Sequence, residues 1–123
     1  MPSLSAATRA RYAASCPPPT TSSDTPGGSA SISTGTVVGA NDAELRFLTV
    51  ENTGGNTNAI AIYNSSASPR LTHVTASASG GTTVNDGVYN YSSSSPTMTN
   101  VTASASGGST NSGVYNDYHS SPT

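Results

Sequence analysis

The sequence predicts an all-β chain wound as a solenoid, in which successive coils stack and pair through parallel strands. Three observations predict it. The segment LTHVTASASGGTTVNDGVYNYSSSSPT, from Leu71 to Thr97, recurs with small changes as MTNVTASASGGSTNSGVYNDYHSSPT, from Met98 to Thr123. A weaker copy begins with LRFLTVENTGG at Leu45 and ends with AIYNSSASP at Pro69, giving successive offsets of 26 and 27 residues. A period in this range marks a repeat that cannot bury its apolar face alone and must stack on its neighbours. Within the copies, Val74, Ala76 and Ala78 alternate with Thr75 and Ser77, as Val101, Ala103 and Ala105 do with Thr102 and Ser104. Period two is the period of a strand. Finally, the chain has no lysine and two glutamates, while serine and threonine supply 41 of its 123 residues. Both are poor helix fillers because their hydroxyls bond the local backbone, and threonine also suits strands.

The elements follow in chain order. Residues 1–29 combine a proline triplet, a glycine pair and Ser/Thr tracts with nothing periodic to bury, and are expected to be a disordered arm. Residues 30–123 hold the repeats, with an opening strand around Thr36 to Val38 and coils near residues 45–70, 71–97 and 98–123. Gly54 with Gly55, Gly80 with Gly81 and Gly107 with Gly108 fall in register and supply corner conformations. Pro69, Pro96 and Pro122 align at the next corner, since proline lacks a ladder donor and belongs at a strand start or bend. NDG at Asn85 to Gly87 reads as turn chemistry.

Stacking turns register into columns of like side chains about 4.8 Å apart. Four columns are expected to face inward: Leu45, Leu71 and Met98; Leu48, Val74 and Val101; Val50, Ala76 and Ala103; Ile62, Val88 and Val114. Tyr63, Tyr89 and Tyr115 alternate with the last of these and should point outward. Asn64, Asn90 and Asn116 should face inward at a bend, where amides can bond from coil to coil. Phe47, His73 and Asn100 share a position next to a break in the alternation, which reads as a corner.

Composition excludes several function classes. With 33% hydrophobic residues, one Phe and no Trp, the chain is too lightly loaded for a large globular core, so stacking must replace bulk. Eight per cent charged residues and a net charge of −2 give no field to steer nucleic acid or an anionic membrane. No apolar run approaches the length of a membrane span, and none after Met1 resembles a signal-peptide core. Cys16 is alone, so no disulfide joins two parts of one chain, and AASC without an apolar segment ahead of it is not read as a lipoprotein cleavage site.

GVYN, a short serine run, SPT, an apolar residue, TNVTASAS and a glycine pair together resemble the repeat of bacterial right-handed parallel β-helix proteins of the pectin-lyase-like superfamily. The phrase is similar to the GGxIYN and SSPTITNCTF style of repeat in bacterial surface proteins. The resemblance covers Ile60 to Thr123 well and Leu45 to Asn58 more weakly. It implies a right-handed coil, in line with the rule for parallel crossovers, and a secreted or cell-surface location. It does not choose an activity, because lyases, hydrolases, adhesins and tailspikes share the fold.

No enzyme is expected. The lyases and hydrolases of that superfamily need clustered acids, whereas Asp42, Glu44, Glu51, Asp86 and Asp117 occupy different coil positions here. Glu44, Arg46, Glu51, Arg70, His73 and Asp86 are the nearest thing to a constellation and read as solubilising charges. His73 and His119 lack companions at metal-ligand spacing, so neither a metal nor another cofactor is expected. SASGG has no nucleophile-elbow pattern.

Two surface ladders are candidate binding sites. The Tyr63, Tyr89, Tyr115 column, flanked by Tyr91 and Tyr118, could stack on sugar rings, although tyrosines one coil apart more often stack on each other. Thr75, Ser77, Thr102 and Ser104 form a flat hydroxyl grid suited to ice or a crystalline polysaccharide, or simply to solvating a strand without charge. Sequons at Asn64, Asn90 and Asn100 arise easily in so Ser/Thr-rich a chain. The expected function is therefore a non-catalytic structural or adhesive β-helix segment whose partner is a polysaccharide or surface glycan. The alternatives are a piece of a polysaccharide lyase or hydrolase whose catalytic coils lie elsewhere, and a fibre subunit joined end to end. SSPT at Thr123 stands where earlier copies begin a new strand, so the solenoid is expected to be unfinished there.

Overall fold

The computed structural model describes residues 20–24, 35–54 and 56–123. These residues form strands and connecting bends and contain no helix. The strands are β1 (Thr20–Asp24), β2 (Val37–Val38), β3 (Glu44–Asn52), β4 (Asn58–Ser65), β5 (Arg70–Ser79), β6 (Val84–Tyr91), β7 (Thr97–Thr99), β8 (Thr102–Ser106) and β9 (Thr110–Asn116). One parallel sheet runs β1, β3, β5, β7, with β8 also on β5, and the other runs β2, β4, β6, β9. Each coil gives the first sheet its first half and the second sheet its second half, which makes the chain a parallel β-solenoid.

The register is the one the repeat predicts. Leu45 pairs with Leu71 and Leu48 with Val74, Leu71 with Met98, Ala76 with Ala103, and Ile62 with Val88, which pairs in turn with Val114. Leu45, Val50, Ile62, Leu71, Ala76 and Val88 are fully buried in one apolar cluster between the sheets, with Met98, Val101 and Ala103 packed against it. Small residues suffice because each column is covered by its equivalents above and below.

The break in alternation is a backbone event. Phe47, His73 and Asn100 all adopt the left-handed region, with φ of 49°, 53° and 52°. That bend turns Leu48 and Val74 back to the interior three residues after Leu45 and Leu71, as the apolar spacing demands. In the third coil it separates β7 from β8. Asparagine and histidine are the commoner non-glycine residues in this region, whereas Phe47 bears a cost there, and the column is held by a stack of the Phe47 and His73 rings at 4.8 Å and a 3.2 Å contact from Asn100 Nδ2 to His73 Nε2.

The predicted corners are present. Gly80 and Gly107 sit at φ of 87° and 98°, and Pro69 and Pro96 immediately precede β5 and β7, their carbonyls accepting from Thr97 and Thr123 N–H one coil on. The serine runs add a ladder of their own: Ala67 N–H donates to Ser94 Oγ, and Ser94 N–H to Ser120 Oγ, both at 3.2 Å.

Two expectations change. Thr20–Asp24 lie within the stretch expected to be a disordered arm, yet they pair in parallel with Leu48–Asn52. Backbone groups alone make that ladder, so it needs no apolar pattern, and it covers an otherwise open edge of β3. The rest of the arm, with Cys16, lies outside the described residues. NDG is not a turn: Asn85, Asp86 and Gly87 lie inside β6. Gly87 is there for close approach, since a Cβ would stand 2.7 Å from Gly113 O and 3.0 Å from Ser104 N and O on β8.

Candidate aromatic cleft

The second sheet carries a second cluster on its outer face. Between the paired positions Ile60–Asp86 and Ile62–Val88 the register skips Ala61 and Gly87, and Ala61 joins Ile62 in the main core. This local break reverses the parity of the strand. Ile60, even-numbered like inward Ile62, therefore emerges with Tyr63, Tyr89 and Tyr91. Asp86 and Ser112 continue the Ile60 column in the next two coils.

The tyrosines form the expected ladder, with ring centroids 5.5 Å apart for Tyr63 and Tyr89 and 5.1 Å for Tyr89 and Tyr115. A branch runs from Tyr89 to Tyr91 at 6.1 Å and on to Tyr118 at 5.7 Å. The outward column is not uniformly accessible, however. Tyr63 and Tyr89 are only 7% and 2% exposed, whereas Tyr115 is 43% exposed. Rings tilted onto one another and onto Ile60 cover their own faces, so Tyr115 is the column's open ring.

Beside Tyr115 lies a cleft of about 220 Å³, lined by Val84, Asp86, Tyr89, Thr110, Ser112, Tyr115 and Asp117. Asp86 is 2% exposed, and its Oδ1 has no hydrogen-bond partner. Burial raises its carboxyl from 3.8 to about 6, against the opposing effect of the Ser112 side-chain hydrogen bond. Burial likewise pushes the Tyr89 phenol up to about 12, with smaller contributions from the charge of Asp117 and from Tyr115, Tyr63 and Tyr91. The carboxylates were expected to stand apart; two of the five, Asp86 and Asp117, line this one cleft. The signal was present in the aligned copies, where a carboxyl replaces Ile60 at a position of an apolar cluster.

The other charges are dispersed. Glu44 Oε1 lies 3.7 Å from Arg46 Nε in a half-buried but solvent-accessible pair, worth little in water, and the Arg46 guanidinium sits 5.5 Å over the Phe47 ring. Glu44, Arg46 and Arg70 share a groove with Thr72, Thr97 and Thr99 on the first sheet, whereas Asp86 belongs to the second sheet. The grouping of all six charged residues is thus not a site. His73 packs on Phe47 and His119 on Tyr118, and among the described residues no three His, Cys, Asp or Glu side chains are grouped for a metal.

The hydroxyl surface has the expected register, Thr75 beside Thr102 and Ser77 beside Ser104. Thr75, Thr102 and Ser104 are exposed and Ser77 is half-buried. Sequons at Asn64 and Asn90 are fully buried, whereas Asn100 is exposed. No helix among the described residues is long and apolar enough to cross a membrane. No protein family matches this chain, and neither a curated protein nor a solved structure shows significant similarity to it.

Proposed function

We propose that this chain is a non-catalytic structural or adhesive β-solenoid segment that holds carbohydrate against Tyr115. The observation that carries the reading is an exposed tyrosine at the open end of a buried aromatic column, beside a cleft with hydroxyl and carboxyl groups. A tyrosine face offers apolar contact to a sugar ring, while Thr110, Ser112 and the carboxyls offer hydrogen bonds to its hydroxyls. The rigid ladder fixes the ring in place before any ligand arrives, which lowers the entropy cost of binding. Membership of the pectin-lyase-like superfamily, a bacterial origin and a secreted or cell-surface location belong to the same reading, and rest on the resemblance of the repeat alone.

The test is binding to an array of polysaccharides. Tyr115→Ala should weaken binding about tenfold while costing about 1 kcal/mol of stability, the size of one aromatic pair. Unchanged binding by Tyr115→Ala would remove the cleft from the reading, and release of reducing ends from the bound polysaccharide would overturn its non-catalytic part.

A second reading is self-association. In the described structure β8 pairs only with β5 and β9 only with β6, and Val114 on that edge is 38% exposed. Unpaired strand edges are templates for another chain.

A further inference from the structure

The carbohydrate reading leaves open which sugars the cleft takes, and its charge narrows the choice. Resting on that reading, we propose that the cleft selects a sugar unit bearing a free amino group, its ammonium seated on Asp86 and its ring on Tyr115.

Three observations point to it. Asp86 is 2% exposed, lines the cleft and has an Oδ1 without a partner, so the floor offers an unused acceptor. A buried polar atom in that state is costly until something donates to it. Second, the described residues lining the cleft include two carboxyls and no Lys, Arg or His. Register places the Asp86 column three residues before the tyrosine column, and Asp117 one residue beyond Asn116 on the other side of it. A ring on Tyr115 therefore has a carboxyl ahead of it and another behind. Third, the open wall is Tyr115, whose face attracts cations as well as apolar rings.

Complementarity works against the other sugar classes. A uronic acid would bring its carboxylate toward Asp86 and Asp117 with no cation to receive it, so an acidic pectate-like polymer is repelled. A neutral or N-acetylated sugar can still stack on Tyr115 but offers Asp86 only a neutral donor, where an ammonium offers a charge-assisted one. At about 220 Å³ the cleft is smaller than the roughly 300–1,000 Å³ of pockets that bury drug-sized ligands, so it admits a ring-sized group.

Binding should also depend on pH. Asp86 must be ionised to hold an ammonium, and its carboxyl titrates at about 6, so affinity is lost as pH falls through that value. The titratable groups around it are Tyr63 on β4, Tyr89 and Tyr91 on β6, and Tyr115 with Asp117 on the β9 side. The Tyr89 phenol, pushed up to about 12, stays neutral in this range, and the charge of Asp117 adds to the attraction.

The experiment measures binding of the full chain, by calorimetry, to three oligosaccharides of equal length: oligoglucosamine, its N-acetylated form and oligogalacturonate. Oligoglucosamine should bind about tenfold or more tightly than the acetylated form at pH 7, the size of one charge-assisted hydrogen bond, and oligogalacturonate most weakly. Asp86→Asn should abolish that preference and the acid limb, bringing oligoglucosamine's affinity down to that of the acetylated oligomer measured on the same variant. Equal affinity for the amino and acetylated oligomers, or a preference that survives Asp86→Asn, overturns the amino-sugar assignment and leaves the carbohydrate reading standing. An alkylammonium salt that binds as well as oligoglucosamine overturns the sugar part. If none of the three oligomers binds, the carbohydrate reading fails and this inference with it.

Discussion

Asp86 shows how one residue can depart from a repeat and so mark itself. Its equivalents are Ile60 and Ser112, an apolar and a small polar residue, and only the middle coil puts a carboxyl in that column. The consequence for stability has a definite sign. Its folded value of about 6 lies above the ordinary 3.8, so between those values the folded state holds more protons than the unfolded one. Stability therefore falls as pH rises from about 4 to about 6 and is level above, by about 3 kcal/mol at most. Asp86→Asn, which keeps the shape and removes the titration, should raise the neutral-pH melting temperature and flatten that slope. Thermal melts of both proteins at pH 4, 5, 6 and 7 check this, and a wild-type slope that persists in the variant assigns it to other groups. In the sequence the exchange of Ile60 for Asp86 between copies is the one sign of it, and that exchange does not by itself say that the carboxyl is buried. Burial there depends on the parity break at Ala61 and Gly87, which puts an even-numbered residue among the odd-numbered tyrosines. Alternation read straight through the strand cannot show it.

At the scale of the element, the unit that holds the coils in register is the asparagine ladder. Asn64 Nδ2 donates to Asn90 Oδ1 and Asn90 Nδ2 to Asn116 Oδ1, both at 2.8 Å. This column was legible because the same letter recurs at one offset where the strand bends. A second ladder was not: Asn85 Nδ2 donates to Asn111 Oδ1 at 3.1 Å, and each of these amides also clasps a glycine, Gly81 or Gly108, through N–H and C=O. NDG carries the letters of a tight turn, and only the neighbouring coil converts Asn85 into a strand residue that bonds back to its corner. The Asn64 ladder stops at Gly39, where a Cβ would collide with Asn64 Oδ1, and that oxygen is accordingly left without a donor. Asn90→Ala strands both neighbours, leaving a buried Asn64 amide and an Asn116 carbonyl unpaired. The expected cost is about 2–4 kcal/mol, with amide exchange in β9 accelerating more than in β4. Equal protection in wild type and variant would mean that the ladder does not couple the coils.

Over the whole molecule, the solenoid's apolar columns run from fully buried to open. Leu45, Leu71 and Val88 are 0% exposed, while Val114 in the third coil reaches 38% and Tyr115 43%. The gradient follows from one-dimensional stacking, in which each coil is covered only by its neighbours. β8 and β9 combine that apolar exposure with backbone groups that no described strand pairs, and TASAS and GVYN are near-copies of the coil beneath. A second copy of the chain can therefore lay matching strands on this edge, with side-chain columns continuing across the junction. Concentration-dependent association of the 123-residue chain is expected, and Val114→Lys should suppress it, because an inward-facing charge on an edge strand blocks pairing while remaining solvated in the monomer. Sedimentation velocity over a hundredfold range of concentration, about the span that resolves a 2.7 kcal/mol difference in association, checks it. Wild type that sediments as one monomer throughout would sink the idea. Association that Val114→Lys leaves intact would place the contact elsewhere, and the exposed Tyr115 and Tyr118 rings would be the next surface to substitute.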